Sequence, residues 1–114
     1  MDHKTVEDYI LSMPNAWLDY TFGADIGVYK VGGSPSDKEG GKMFALINEV
    51  KNPLQLSLKC DPTLGKLLRE KYETVMEGYH LNKKHWITIV LSGQLSWEEV
   101  QAQIRHSYIL VDAS

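Results

Sequence analysis

Residues 53–62 constrain the fold more tightly than any other stretch of this chain. Leu54, Leu56, Leu58 and Cys60 alternate with Gln55, Ser57 and Lys59. A period of two marks a β-strand with one buried and one wet face. Asp61-Pro62 follows without a linker. That pair opens a helix, because the Asp carboxylate caps free amide groups and Pro has no N–H to leave unsatisfied in the first turn. A sheet with one apolar face, joined directly to a helix that can cover it, points to a layered domain.

The remaining periodicities fit the same plan. Val6, Tyr9, Ile10 and Met13 follow helical spacing, with Thr5 as the expected cap and Asp8 at the third helical position. Pro14 ends that helix, and Asn15 suits a turn. Trp17 to Phe22 and Ile26 to Val31 read as strands joined at Gly23-Ala24-Asp25, and Lys42 to Asn48 reads as a third. Leu64, Leu67, Leu68 and Tyr72 form the stripe expected on the helix after Pro62. Val75 and Met76 suggest a short strand. Trp86 to Leu91 reads as a longer one, with Ile87, Ile89 and Leu91 on one face and Trp86, Thr88 and Val90 on the other. Ser96 and Glu99 make a capping box for a last helix, stapled by Leu95 and Val100 and continued by Ile104, Tyr108 and Val111. Short links between consecutive strands favour antiparallel pairing. The expected fold class is therefore α+β, an antiparallel β-sheet with helices packed on one face. The 114 residues fit a single domain over 1–114.

Several chemistries find no support. The glycine-rich segment 32–41 lacks the phosphate-loop pattern, because Gly41-Lys42 is followed by Met43. No apolar run approaches the ~18 residues of a membrane span, and the N-terminus does not read as a secretory signal. Cys60 is the only cysteine, which excludes an intramolecular disulfide and a Cys-rich zinc site. It shares a strand face with three leucines, so a buried, inert thiol is expected. A reducing cytoplasm is the expected compartment. His80 and His85 have no carboxylate fixed beside them, so no metal site is expected. Glu7, Asp8, Glu98 and Glu99 fall where helix dipoles explain them. No residue stands out as base, nucleophile or cofactor ligand, so neither catalysis nor a cofactor is expected.

Charge narrows what remains. The formal net charge is −3, so attraction to a polyanion requires a local patch. Residues 1–50 hold four Lys against eight acids, whereas 51–114 hold eight Lys and Arg against seven. Within 51–71, Lys51, Lys59, Lys66, Arg69 and Lys71 outnumber Asp61 and Glu70. The densest functional cluster is Tyr79-His80-Leu81-Asn82-Lys83-Lys84-His85-Trp86. Lys83 and Lys84 suit phosphate oxygens as point charges. Asn82 can donate and accept, and Tyr79 or Trp86 offers a ring for stacking. His80 and His85 add positive charge as pH falls toward about 6. The same residues also fit a solvated turn that leads into a core strand through Trp86.

Three stretches carry a resemblance to the MmcQ/YjbR family. One is Tyr20-Thr21-Phe22-Gly23-Ala24-Asp25 with Val28-Tyr29-Lys30-Val31. The second is Gly41-Lys42-Met43-Phe44-Ala45-Leu46 with Leu56-Ser57-Leu58-Lys59-Cys60-Asp61-Pro62. The third, and most specific, runs from Gly78 to Thr88 and is joined by Ser107-Tyr108-Ile109-Leu110-Val111. The resemblance implies a frataxin-like or "double wing" α+β domain in a small bacterial protein, and it implies DNA binding. The sequence departs from the usual pattern in a lengthened 32–41 loop and in stopping at Ser114, where many relatives continue into a basic tail. The leading expectation is a DNA or phosphate-ligand binder using His80, Asn82, Lys83, Lys84 and His85, with Lys59 from the wet strand face. The alternative is a protein-interaction adaptor that uses the acidic N-terminal half and an exposed aromatic such as Tyr29 or Trp97. Metal binding on Asp2, Glu7 and Asp8, borrowed from the frataxin-like fold, is a third and thinner reading.

Overall fold

The computed structural model describes residues 1–33, 36, 40–78 and 81–112. The chain order is α1 (His3–Leu11), β1 (Ala16–Asp19), β2 (Ile26–Val31), β3 (Lys42–Asn48), β4 (Gln55–Lys59), α2 (Pro62–Lys71), β5 (Val75–Glu77), β6 (Trp86–Val90) and α3 (Trp97–Asp112). The strands form one six-stranded sheet in the order β1-β2-β3-β4-β6-β5. Every neighbouring pair is antiparallel.

All three helices cover one face. Val6 and Ile10 of α1, Leu68 of α2, and Val100, Ile104 and Val111 of α3 meet Tyr29, Ile47, Leu56, Leu58, Ile87 and Ile89 of the sheet in a single core. Each aliphatic side chain buried there contributes about 1.5–3 kcal/mol of transfer free energy. The opposite face carries no helix among the described residues. A smaller apolar cluster there joins Val28, Leu46 and Trp86, against which Ile26, Met43 and Leu81 pack.

A buried hydroxyl ties α3 to the sheet. The pairing of β2 with β3 steps from Tyr29↔Ala45 to Lys30↔Met43, so Phe44 is the extra residue of a bulge. The β3–β4 pairing stops at Ala45↔Leu58. One step beyond, the hydroxyl of Ser107 on α3 donates to the Phe44 carbonyl and accepts from the Lys59 amide at 2.9 Å. Ser107 is fully buried. Its hydroxyl bridges these two groups one step past the end of the β3–β4 ladder, so both keep a partner.

The α+β class, the antiparallel sheet and the one-sided helix layer agree with the sequence pattern. Four local expectations do not. Asp2 caps α1, accepting from the Thr5 amide at 2.8 Å, so the helix starts ahead of the expected Thr5 cap. β1 ends at Asp19 and the chain turns at once, with the Gly23 amide bonding the Tyr20 carbonyl at 3.1 Å, so Phe22 lies in a turn. Leu67 is exposed, because α2 lays Gly65 and Leu68 on the sheet instead. Tyr29 is fully buried, with its hydroxyl donating to Glu7 at 2.5 Å, so it cannot meet a partner protein.

Candidate nucleic-acid interface

The basic loop enters β6 through Trp86. This ring is buried in the cluster on the helix-free face and is spent as an anchor, which removes it as a stacking platform. Leu81, at the other end of the loop, packs on the same cluster. The backbone at Gly78 lies so close to β6 that a Cβ there would stand 2.6 Å from the Trp86 Cβ. Only glycine permits that approach.

Between these anchors Asn82 shapes the turn. Its Oδ1 accepts from the Lys84 amide at 3.0 Å, and its carbonyl accepts from the His85 amide at 3.1 Å. The side-chain acceptor therefore organises the backbone as an Asx turn does. The carboxamide nitrogen is left for other partners. The His85 carbonyl accepts from the Cys60 amide at 2.8 Å, fastening the loop to the end of β4.

The cations follow from this backbone. Lys83 is exposed and reaches Glu77 only at 4.0 Å. A solvent-exposed pair at that distance contributes little and is readily exchanged. Lys84 is exposed and His85 is half-buried. Lys59 lies directly opposite Trp86 across β4 and β6, on the helix-free face. Among the described residues, neither Lys59 nor Lys84 has a carboxylate within ion-pair distance. The structure thus brings Lys59 to the same sheet end as the loop holding Asn82, Lys83, Lys84 and His85. His80 and Tyr79 lie outside the described residues. Of the basic excess over 51–71, Lys66, Arg69 and Lys71 do not join them, since they ride on α2 across the sheet.

Sequence reasoning gave no role to Lys30, a further cation on this face. It is buried, 3.1 Å from the Asp19 carboxylate and 5.3 Å from the centre of the Trp17 ring. The Thr21 hydroxyl and then Lys30 hold the Asp19 carboxyl below its usual range. This lysine is committed to its own neighbours.

The acids offered for a metal diverge. Asp2 caps α1, Glu7 accepts from Tyr29, and Asp8 pairs with Lys4 at 3.3 Å. No group of three His, Cys, Asp or Glu side chains able to hold a metal occurs among the described residues. Trp97 is spent as well, packing edge-on against Tyr9 with ring centres 5.6 Å apart. No helix among the described residues is long and apolar enough to cross a membrane.

Comparison with known proteins agrees with this architecture. The model of the YjbR family matches residues 11–110. The Escherichia coli O157:H7 protein YbdF is 32% identical over 96% of this chain and 83% of its own length. Escherichia coli K12 YjbR is 42% identical over 63% of this chain and 55% of its own length. Among solved structures, Deinococcus radiodurans protein DR2400, described as a DUF419 domain, superposes with a TM-score of 0.87 at 35% identity. That match covers 95% of this chain and 76% of the other. A Pseudomonas syringae protein gives a TM-score of 0.77 at 28% identity, covering 97% of this chain and 99% of its own.

Proposed function

The chain belongs to the YjbR family, and from that premise we propose that it binds nucleic acid through the loop 80–85 and Lys59, without catalysing a reaction. The observation that carries this reading is the state of the cations. Lys84 and Lys59 have no carboxylate partner among the described residues, and Lys83 has only a distant, exposed one. Unpaired ammonium groups on a fixed backbone bind phosphates without first breaking internal ion pairs. The adaptor reading loses support because Tyr29 and Trp97 are committed to internal packing.

The test is a fluorescence-anisotropy titration of labelled single-stranded and duplex DNA at low salt. Lys83→Glu with Lys84→Glu is expected to abolish measurable binding, with circular dichroism unchanged because both side chains are exposed. Equal binding by the parent and the double variant refutes the assignment.

A further inference from the structure

The helix-free face carries a groove of about 290 Å³ beside the basic loop. Ile26, Leu46, Phe22 and Leu81 supply its apolar lining. Two carboxamides, Asn48 and Gln55, line it from directly opposite positions on β3 and β4. The Gln55 side chain has no hydrogen-bond partner among the described residues. Among the described residues Asn48 uses only its Oδ1, on the Val50 amide at 3.3 Å. Ser57 and Thr88, also in the lining, bond each other at 2.8 Å.

We propose that this groove accepts one unpaired nucleobase of a single-stranded nucleic acid, a reading that rests on the nucleic-acid function proposed above. The groove is small for a ligand site, which fits one flat ring system and not a stacked base pair. Its lining is largely apolar and therefore desolvates a ring face. Phe22 is 53% exposed at the tip of the β1–β2 turn, an aromatic face on which a base can stack. The Gln55 carboxamide offers both a donor and an acceptor, and Asn48 adds two N–H donors. A carboxamide pairs bidentately with adenine through its exocyclic amine and a ring nitrogen. Charge complementarity favours a strand over a free base, because Lys59 stands two residues beyond the groove-lining Ser57 on the same face of β4. Leu81 lines the groove and Lys83 follows it by two residues, so a base seated against Leu81 places its own phosphodiester beside the ammonium groups. A duplex keeps its bases stacked and paired, and cannot offer one to this groove without opening.

The experiment is an NMR titration of the intact chain at low salt, reading the Asn48 and Gln55 side-chain amides together with the backbone amides of Lys83 and Lys84. The probes are oligo(dA), oligo(rA), an abasic phosphodiester strand of equal length, and free adenosine. Either oligonucleotide is expected to shift both sets of signals, and the tighter of the two names the sugar. The abasic strand is expected to shift the loop alone and to bind more weakly. Phe22→Ala lies in an exposed turn and is expected to weaken oligonucleotide binding about tenfold while leaving the abasic strand unaffected. Gln55→Ala, on the wet sheet face, serves as the second variant with the same expectation. Equal affinity for abasic and base-bearing strands, with Asn48 and Gln55 unmoved, overturns the groove assignment and leaves the loop reading standing. If no strand moves the loop, the nucleic-acid reading fails, and adenosine then decides the groove. Shifts at Gln55 and Asn48 sustain it as a base site, whereas their absence overturns it.

Discussion

Ser107→Ala is expected to cost far more than the loss of one hydroxyl suggests. The side chain is fully buried and serves two backbone groups, the Phe44 carbonyl and the Lys59 amide. Alanine leaves both without a partner just past the end of the β3–β4 ladder. An unsatisfied buried polar group costs about 1–3 kcal/mol. With some relaxation of two adjacent groups, the sum expected is about 2–4 kcal/mol. For a domain of this size that lowers the melting temperature by roughly 8–16 °C. Ser57→Ala is the control, since among the described residues its hydroxyl bonds only Thr88 and its residue is half-buried on the helix-free face. The assay is urea unfolding followed by circular dichroism, with thermal melts alongside. If Ser107→Ala loses no more than Ser57→Ala, the hydroxyl does not substitute for the ladder, and the account of how α3 is held to the sheet fails.

Two further outcomes follow from ionisation. Asp19 is held below its ordinary pKa first by the Thr21 hydroxyl and then by Lys30, Glu99 by the Tyr72 hydroxyl and the Ser96 amide, and Asp2 by Thr5. A carboxyl whose folded pKa is depressed adds stability above its unfolded pKa and loses it as pH falls through the folded one. Thermal melts are therefore expected to be flat from about pH 7 to 5 and to decline below about pH 4, and Asp19→Asn is expected to make that decline shallower. Stability that rises on acidification contradicts the assignment. Cys60 is 3% exposed, and burial pushes its thiol up to about 11. It is expected to stay unreactive toward a thiol-specific disulfide reagent near neutral pH until urea unfolds the chain, and rapid native labelling refutes its placement in the core.

Much of the fold was legible because strand alternation and helix spacing report directly on which side is buried. The Leu56 and Leu58 pattern, the Asp61 cap and the reciprocal Ser96–Glu99 box all appear as read. The failures share a cause. Asp2 and Thr5 each sit three residues before an amide they could cap, and local chemistry alone cannot choose between them. In α2, Leu64, Leu67 and Leu68 define too broad an arc for spacing to settle. The close approach of Gly65 to Ile87, where a Cβ would lie 3.4 Å from its Cγ2, settles the rotation. Ser107 interrupts an apolar stripe and signals nothing until the end of the β3–β4 ladder beside Phe44 and Lys59 is known. The basic loop was visible as composition, because its residues are consecutive. The groove was not, because Phe22, Asn48, Gln55 and Leu81 are distant in sequence and are brought together only by strand register.

The most direct measurement of the central claim is the salt dependence of oligonucleotide affinity for the parent chain and for Lys83→Ala with Lys84→Ala. Three cations, Lys59, Lys83 and Lys84, imply a slope of log affinity against log salt of about −2 for a single strand, from about 0.7 released counterions per contact. Removing two of them is expected to bring that slope to about −0.7. A slope near zero in the parent, or one unchanged by the double substitution, contradicts the claim that this loop holds the phosphates.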